Sequence, residues 1–365
     1  MKILFINEVC GITSTGRIVC ELADELTEQG NECKIAFGRN GIVPDKWKHY
    51  SVRIGTDFDV KCHALITRVF DKSGFGSKKA TKKFVQWLDK FNPDMIWLHN
   101  LHGYYINIEI LFDWIKKHPD KKIKWTLHDC WSFTGHCTHY MVPKCEKWKV
   151  QCEKCPEKKR YPASLLIDNS KNNYIRKKKI FTGVKNLEIV VPSQWLADEV
   201  KKSYLGEYPV SVNYNSIDKD IFKPTYGSFI DRYKLKDKKI ILGVANVWTD
   251  RKGFYDFIEL SKIINEKYII VLVGVSDKQI EELPSNIIGI KRTHNANDLA
   301  EIYTAATVFF NPTYEDNYPT VNLEAEACGT RVITYRTGGA PETIKREDSI
   351  VLDIGAWNEI LDKLA

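Results

Sequence analysis

The sequence predicts an α/β protein made of two doubly wound, Rossmann-like domains facing a central cleft. Short apolar runs alternate with amphipathic helical stretches along the whole chain, the pattern of parallel strands joined by helical crossovers. The scheme runs once through the first half and restarts near residue 239. The length, 365 residues, exceeds one ordinary core and suits two of roughly 150 to 200 residues.

In the first half "KILFI" (2–6), "CKIAF" (33–37), "MIWL" (95–98), "KWTL" (124–127) and "EIVV" (188–191) read as strands. Between the first two, Ile18, Val19, Leu22 and Leu26 recur at helical spacing and Gly30 supplies a stop. The second half gives "KIILGVA" (239–245), "YIIVLVG" (268–274), "TVFFNP" (307–312), "RVITY" (331–335) and "SIVLD" (349–353). "NYNSIDKDIFKPTYG", rich in Asn, Asp, Pro and Gly, reads as a hinge over 213–227. The expected domains are therefore 1–212 and 228–365. In such sheets ligands bind at the C-terminal ends of the strands, which would face the shared cleft.

Hydrophobic content of 43% and charged content of 28% are those of a soluble globular protein. No apolar run approaches the ~20 residues that span a bilayer. "MKILFINEVCG" has too short an apolar stretch for a signal peptide and reads as a strand, so a cytoplasmic protein is expected. The net charge of +7 is concentrated: residues 144–179 hold twelve Lys or Arg against four Asp or Glu. Such a segment is either a solvated face or a patch for an anionic membrane surface or phosphate-bearing acceptor. No nucleic-acid-binding motif accompanies it.

Ten cysteines in a reducing compartment are thiols or metal ligands. Cys10, Cys20, Cys33, Cys62 and Cys328 are scattered and read mostly as small core residues. Cys137, Cys145, Cys152 and Cys155 fall within "HCTHYMVPKCEKWKVQCEKC", inside a basic insertion at about 130–180. Four thiolates suit a structural zinc, with His136 or His139 able to replace one ligand. Two disulfides or unligated thiols are the alternatives. A closed site of this kind braces a loop and does not catalyse.

Three features suit phosphates. "GITSTG" (11–16) follows the first strand and opens a helix, so Gly11, Ser14, Thr15 and Gly16 line a strand-to-helix turn. Arg251 and Lys252 follow the first strand of the second half, where Arg clamps phosphate oxygens and Lys adds a mobile point charge. "NPTYEDNYPTVNLEAEACGT" (311–330) runs from a strand through a polar loop into a helix expected over 321–328. Pro319 is placed for its first turn and Gly329 for its end. Asp316 and Glu324 have seven residues between them, so one precedes the helix and the other lies a turn or more inside it.

"EDNYPTVNLEAEACGTRVITYRTGGAPE" resembles the C-terminal signature of retaining glycosyltransferases of the GT-B fold, family 4. "NYNSID…FKP" resembles that family's hinge stretch, "DRKGF" its phosphate-binding element and "MKILFINEVCGITSTGRIV" the start of its acceptor domain. "TLHDCWSFTGHC" is similar to a subgroup of colanic-acid and other surface-polysaccharide enzymes. The first acid of the family pair is usually Glu, whereas spacing gives Asp316 here, with Glu315 beside it as the alternative. The family's usual Gly-Arg after the first C-domain strand is Ala245-Asn246, and its hinge Gly is Ser216.

The resemblance implies transfer of a sugar, with retained configuration, from a nucleotide-diphosphate sugar to a surface-polysaccharide or lipid-linked acceptor. It implies that Arg251, Lys252 and amides around Pro319 to Val321 hold the diphosphate. Asp316 (or Glu315) would contact the donor sugar, Glu324 the ribose and His128 the transferred sugar. Asn317, Tyr318, Thr320 and Arg292 are placed on the donor side; Gly11, Ser14, Thr15 and Gly16 on the acceptor side. No redox cofactor and no nucleic-acid partner are expected, and the basic segment 144–179 is the expected membrane contact. A sugar-nucleotide epimerase or phosphorylase on the same fold, or a non-catalytic sugar-nucleotide-binding protein, is the alternative.

Overall fold

A computed structural model describes residues 1–364. The chain divides into two compact units, the first holding Met1–Pro192 and Leu196–Asn213, the second Ser193–Trp195 and Tyr214 onward.

The first unit contains β1 (Lys2–Ile6), α1 (Thr13–Glu28), β2 (Glu32–Phe37), β3 (Ser51–Arg53), α2 (Asp57–Phe70), α3 (Lys78–Phe91) and β4 (Met95–Leu98). It continues with α4 (Ile108–Lys117), β5 (Lys122–Thr126), α5 (Ser170–Phe181), β6 (Leu187–Val191), α6 (Gln194–Lys201) and β7 (Val210–Val212). Its sheet has the order β3-β2-β1-β4-β5-β6-β7, every pair parallel.

The second unit contains α7 (Phe229–Arg232), β8 (Lys239–Val244), α8 (Phe254–Ser261), β9 (Tyr268–Val273), α9 (Asp277–Glu281), β10 (Ile287–Ile290) and α10 (Ala296–Ala305). It ends with β11 (Val308–Asn311), α11 (Thr320–Ala327), β12 (Val332–Tyr335), β13 (Ile350–Leu352) and α12 (Ile360–Leu364). Its order, β10-β9-β8-β11-β12-β13, is again all parallel.

The near-continuous apolar strands are explained by burial on both faces, which parallel sheets require. In the second unit Ile241, Ile270, Leu272, Phe310 and Ile333 pack in one cluster. Their neighbours Ile240, Leu242, Val271, Phe309 and Val332 pack in another. Along α1, Val19, Cys20 and Ala23 are buried and Leu22 and Leu26 lean on the same core. The chain leaves α1 at Gly30, whose φ of +84° suits glycine.

Three strands escape the sequence reading: β3, β7 and β10. All are sheet edges, where partial exposure weakens the apolar signal. "SVR" and "VSV" are only three residues long, and Gly289 interrupts "IIGI". The strand expected at 124–127 starts two residues earlier and ends at Thr126, leaving Leu127 and His128 beyond it. No helix among the described residues is long and apolar enough to cross a membrane.

Candidate functional site

In the second sheet β8 and β11 are neighbours, and the connections on either side run in opposite directions across the sheet. That reversal is a topological switch point, where loops diverge and leave room for a ligand. After β8 the chain makes a short turn over Asp250–Lys252 and reverses at Gly253, with φ +74°. A Cβ on Gly253 would stand 2.3 Å from the Pro312 carbonyl, so the turn lies directly on the loop leaving β11. Tyr314 N donates to Arg251 O at 2.8 Å, Arg251 Nη1 donates to Glu315 O at 2.7 Å, and Lys252 Nζ meets Asp316 Oδ2 at 2.5 Å. Arg251, Lys252 and Asp316, 64 residues apart at the ion pair, are thus brought together.

The loop after β12 closes on the same segment. Cβ atoms on Gly338 and Gly339 would stand 1.9 Å from Asp316 O and 2.0 Å from Asn317 O. Gly338 also has φ +50°. The "TGG" of the signature is therefore a backbone-on-backbone contact that fixes where Asp316 begins. A third brace was not foreseen. Asp256, buried on α8, accepts hydrogen bonds from Tyr314 Oη at 3.0 Å and from Tyr335 Oη. Burial raises the Asp256 carboxyl, and burial pushes the Tyr314 phenol up to about 12, so both phenols remain donors. Nothing in "YDFIEL" distinguishes this acid from a solvated one; only the fold brings the tyrosines to it.

α11 starts at Thr320, with Pro319 at the N-cap and not inside the first turn as expected. No side chain caps the helix and no acid stands in its first turn, leaving its positive end uncompensated. Asn322 fixes the helix to the strand end, bonded to Asn311 and Thr343 at 2.8 Å each. Glu324, one turn further on, accepts from Tyr303 Oη at 3.0 Å. Glu315, Asn317 and Tyr318 are buried, whereas Asp316, Thr320 and Val321 are half-buried. Arg292 is exposed just past β10, an edge strand two places from β8 and about 10 Å across the sheet.

The first unit repeats the arrangement with other chemistry. β1 and β4 flank its switch point. Gly11 (φ +72°) turns the chain, and its N–H donates to Gly16 O at 3.1 Å, so that amide is already used inside the turn. Ser14 is exposed and Thr15 half-buried at the start of α1. Just beyond β4 and β5, His99 Nδ1 and His128 Nε2 stand 2.9 Å apart with their rings stacked. His102 Nε2 pairs with Asp129 Oδ2 at 2.8 Å, and Arg39 pairs with Glu8 at 3.0 Å. Burial pushes His128 down to about 4 and His99 well below its usual range. His102 is raised by Asp129, which outweighs its burial. A hollow of about 10 Å³ opens among these groups, space for roughly one water. The sequence reading found His128 and missed His99, His102 and Asp129, though "LHNLHG" follows its strand as "LHD" follows the next.

In the insertion, all ten cysteines of the chain being thiols, Cys137 and Cys152 are buried and Cys145 and Cys155 half-buried. A hydrogen bond with Cys155, then burial, pushes the Cys137 thiol well above its usual range. His136 Nδ1 is engaged by Asp71 at 2.5 Å. Among the described residues no three His, Cys, Asp or Glu side chains are grouped so as to hold a metal ion. Nor is the basic run wholly on the surface: Lys177 is buried over Trp131, donating to Trp131 O at 2.6 Å and Thr134 O at 3.0 Å. Burial pushes its ammonium down to about 7.

Residues 238–365 match the family model described as glycosyl transferases group 1. Over 360 residues, 95% of this chain and 86% of the other, the sequence is 25% identical to WcaC of Escherichia coli K12, whose name assigns it to colanic acid biosynthesis as a glycosyl transferase. The fold is similar to sucrose-phosphate synthase from Thermosynechococcus elongatus, with TM-score 0.68 and 16% identity, covering 100% of this chain and 88% of that one. It is also similar to Anabaena HepE in complex with UDP, with TM-score 0.65 and 15% identity, covering 100% and 89%. The chain has the GT-B fold, and its residues 238–365 are similar to the glycosyl transferases group 1 family.

Proposed function

We propose that the protein is a retaining glycosyltransferase that moves a sugar from a nucleotide-diphosphate sugar to a surface-polysaccharide or lipid-linked acceptor. The observation that carries the reading is the meeting of Arg251, Lys252 and Asp316 beside the uncapped start of α11, at the switch point of a group 1 glycosyl transferase domain. UDP in HepE and the name of WcaC support the donor class and the acceptor class in turn.

In this reading the diphosphate displaces Asp316 from Lys252 and accepts hydrogen bonds from Arg251, Lys252 and the Thr320 and Val321 amides. As the anomeric carbon–oxygen bond breaks, its electron pair leaves with the diphosphate, and preorganised donors stabilise that charge. The acceptor hydroxyl oxygen bonds to the anomeric carbon on the same face, and its proton goes to the departing diphosphate oxygen. Asp316, released from Lys252, binds donor-sugar hydroxyls; Glu324 binds ribose. Glu315 is buried in the loop, which favours Asp316 as the first acid. In the first unit, neutral His128 exchanges hydrogen bonds with sugar hydroxyls and carries no charge to a phosphate. A panel of nucleotide sugars with candidate acceptors, read for nucleoside diphosphate release and for the product's anomeric configuration by NMR, tests this. Inversion would refute retention, and no turnover across the panel would refute the transferase reading.

A further inference from the structure

The helix α2 is inside out. Surface helices bury an apolar stripe and expose a polar face, but α2 buries His63 and Thr67 and turns Phe58, Leu65, Ile66 and Phe70 to solvent. The inward face is explained by polar partners: His63 Nδ1 meets Ser77 Oγ at 3.0 Å and His63 Nε2 accepts from Gly76 N at 3.0 Å. Nothing in the first unit covers the outward face.

The strap 165–167 extends that face. Leu165 N donates to Arg68 O at 2.7 Å and Ile167 N to Val69 O at 3.2 Å, fastening it along the end of α2. Its side chains are also in solvent: Leu165 is 62% and Leu166 69% exposed, much as Leu65 on α2 is at 63%. An apolar surface gathered from two segments and ringed by polar groups marks an interaction site.

The ring is cationic. Arg68 and Lys72 flank Phe70, with the Lys72 ammonium 5.6 Å from its ring, and Lys158 Nζ donates to Leu166 O at 3.2 Å. Beside Ile66 lies a hollow of about 360 Å³ walled by Phe75, Lys72, Lys78 and Arg176. The nearby acids are engaged: Asp57 pairs with Arg53, Asp59 accepts from Thr56 N and Oγ1, Asp71 holds His136 and Glu109 pairs with Arg176.

We infer that this face docks on an anionic lipid bilayer, with Leu65, Ile66, Phe70 and the strap entering the headgroup layer. The hollow, with Lys72 and Lys78 on its wall, takes lipid phosphates. Apolar side chains inside a basic ring match a bilayer of that charge, whereas a second copy would set cations against cations. The inference rests on the surface alone and does not depend on the transferase reading. It also narrows the expected membrane contact of 144–179 to the strap within that segment and adds the apolar face of α2.

The test is flotation of the full chain with vesicles of phosphatidylcholine alone and of equimolar phosphatidylcholine and phosphatidylglycerol. Flotation is expected with the mixed vesicles only, and weaker as salt is raised. Leu165→Ser with Leu166→Ser should cut the bound fraction at least about tenfold, since their burial is lost. Arg68→Glu with Lys72→Glu should do the same without touching an apolar group, and Lys236→Glu on the second unit should float as the parent. Unchanged thermal unfolding of the variants separates lost docking from lost fold. Equal flotation with both lipids, or flotation indifferent to the leucine pair, would overturn the inference. So would a concentration-dependent dimer that the leucine pair abolishes, which would make the occupant a second copy.

Discussion

The two sheets share the order 3-2-1-4-5-6 and both put candidate residues where that order reverses, yet the chemistry at the two places is opposite. At the second unit's switch point two cations and a helix start face one carboxylate, an arrangement suited to a diphosphate. At the first unit's, imidazoles and carboxylates answer one another: His99 with His128, His102 with Asp129, Arg39 with Glu8. Burial keeps His128 neutral near pH 7. The fold supplies the place, and the loops leaving the strands decide what the place binds.

Lys252→Ala breaks the comparison most severely. In the proposed reaction it removes a donor to the leaving charge, and transfer should fall by at least about a hundredfold in a nucleoside diphosphate release assay. His128→Ala should also lower transfer while leaving nucleoside diphosphate affinity within about twofold, since it offers that ligand no charge. Equal loss of affinity in both variants would erase the distinction.

Gly338→Ala tests whether the second site is a backbone construction. The new Cβ would meet Asp316 O at 1.9 Å in a left-handed conformation, so a loss of at least about 2 kcal/mol is expected in denaturant unfolding. Asp256→Asn is gentler: it keeps the shape but weakens the charge-assisted bonds from Tyr314 and Tyr335, and about 1 kcal/mol should be lost. KM for the donor should rise in parallel, because Tyr314 also holds Arg251 O.

A further effect is a pH dependence arising in the first unit. The folded pKa of His128 lies near 4, below the usual 6.5, so between those values the unfolded chain binds the extra proton. Its contribution to stability is therefore complete above about pH 6.5 and lost as pH falls toward 4. His128→Gln should reduce the slope of that limb of a plot of melting temperature against pH, the remainder being carried by the other buried histidines, His99 among them. An unchanged slope would contradict a buried neutral His128.

Much of the second site was legible because its residues are near in sequence or sit at strand ends. "EDNYPTVNLEAEACG" holds the loop, the helix start and both acids, and Arg251 and Lys252 follow an unmistakable strand. Asp256 and its tyrosines were hidden, being 58 and 79 residues apart and joined only by folding. In the first unit one strand-end histidine was read and three partners were not, since burial and pairing leave no local pattern. Charge also misled: the run "RKKK" contains a buried lysine. α2 shows the limit best, because nothing in its sequence alone distinguishes an outward apolar face from a core stripe.

Calorimetric titration of nucleoside diphosphates into the intact chain, Lys252→Ala and His128→Ala decides which unit holds the diphosphate. Binding to the parent and to His128→Ala with similar affinity is expected, and its loss in Lys252→Ala. Undiminished binding to Lys252→Ala, with loss in His128→Ala, would place the diphosphate in the first unit and contradict the proposed function.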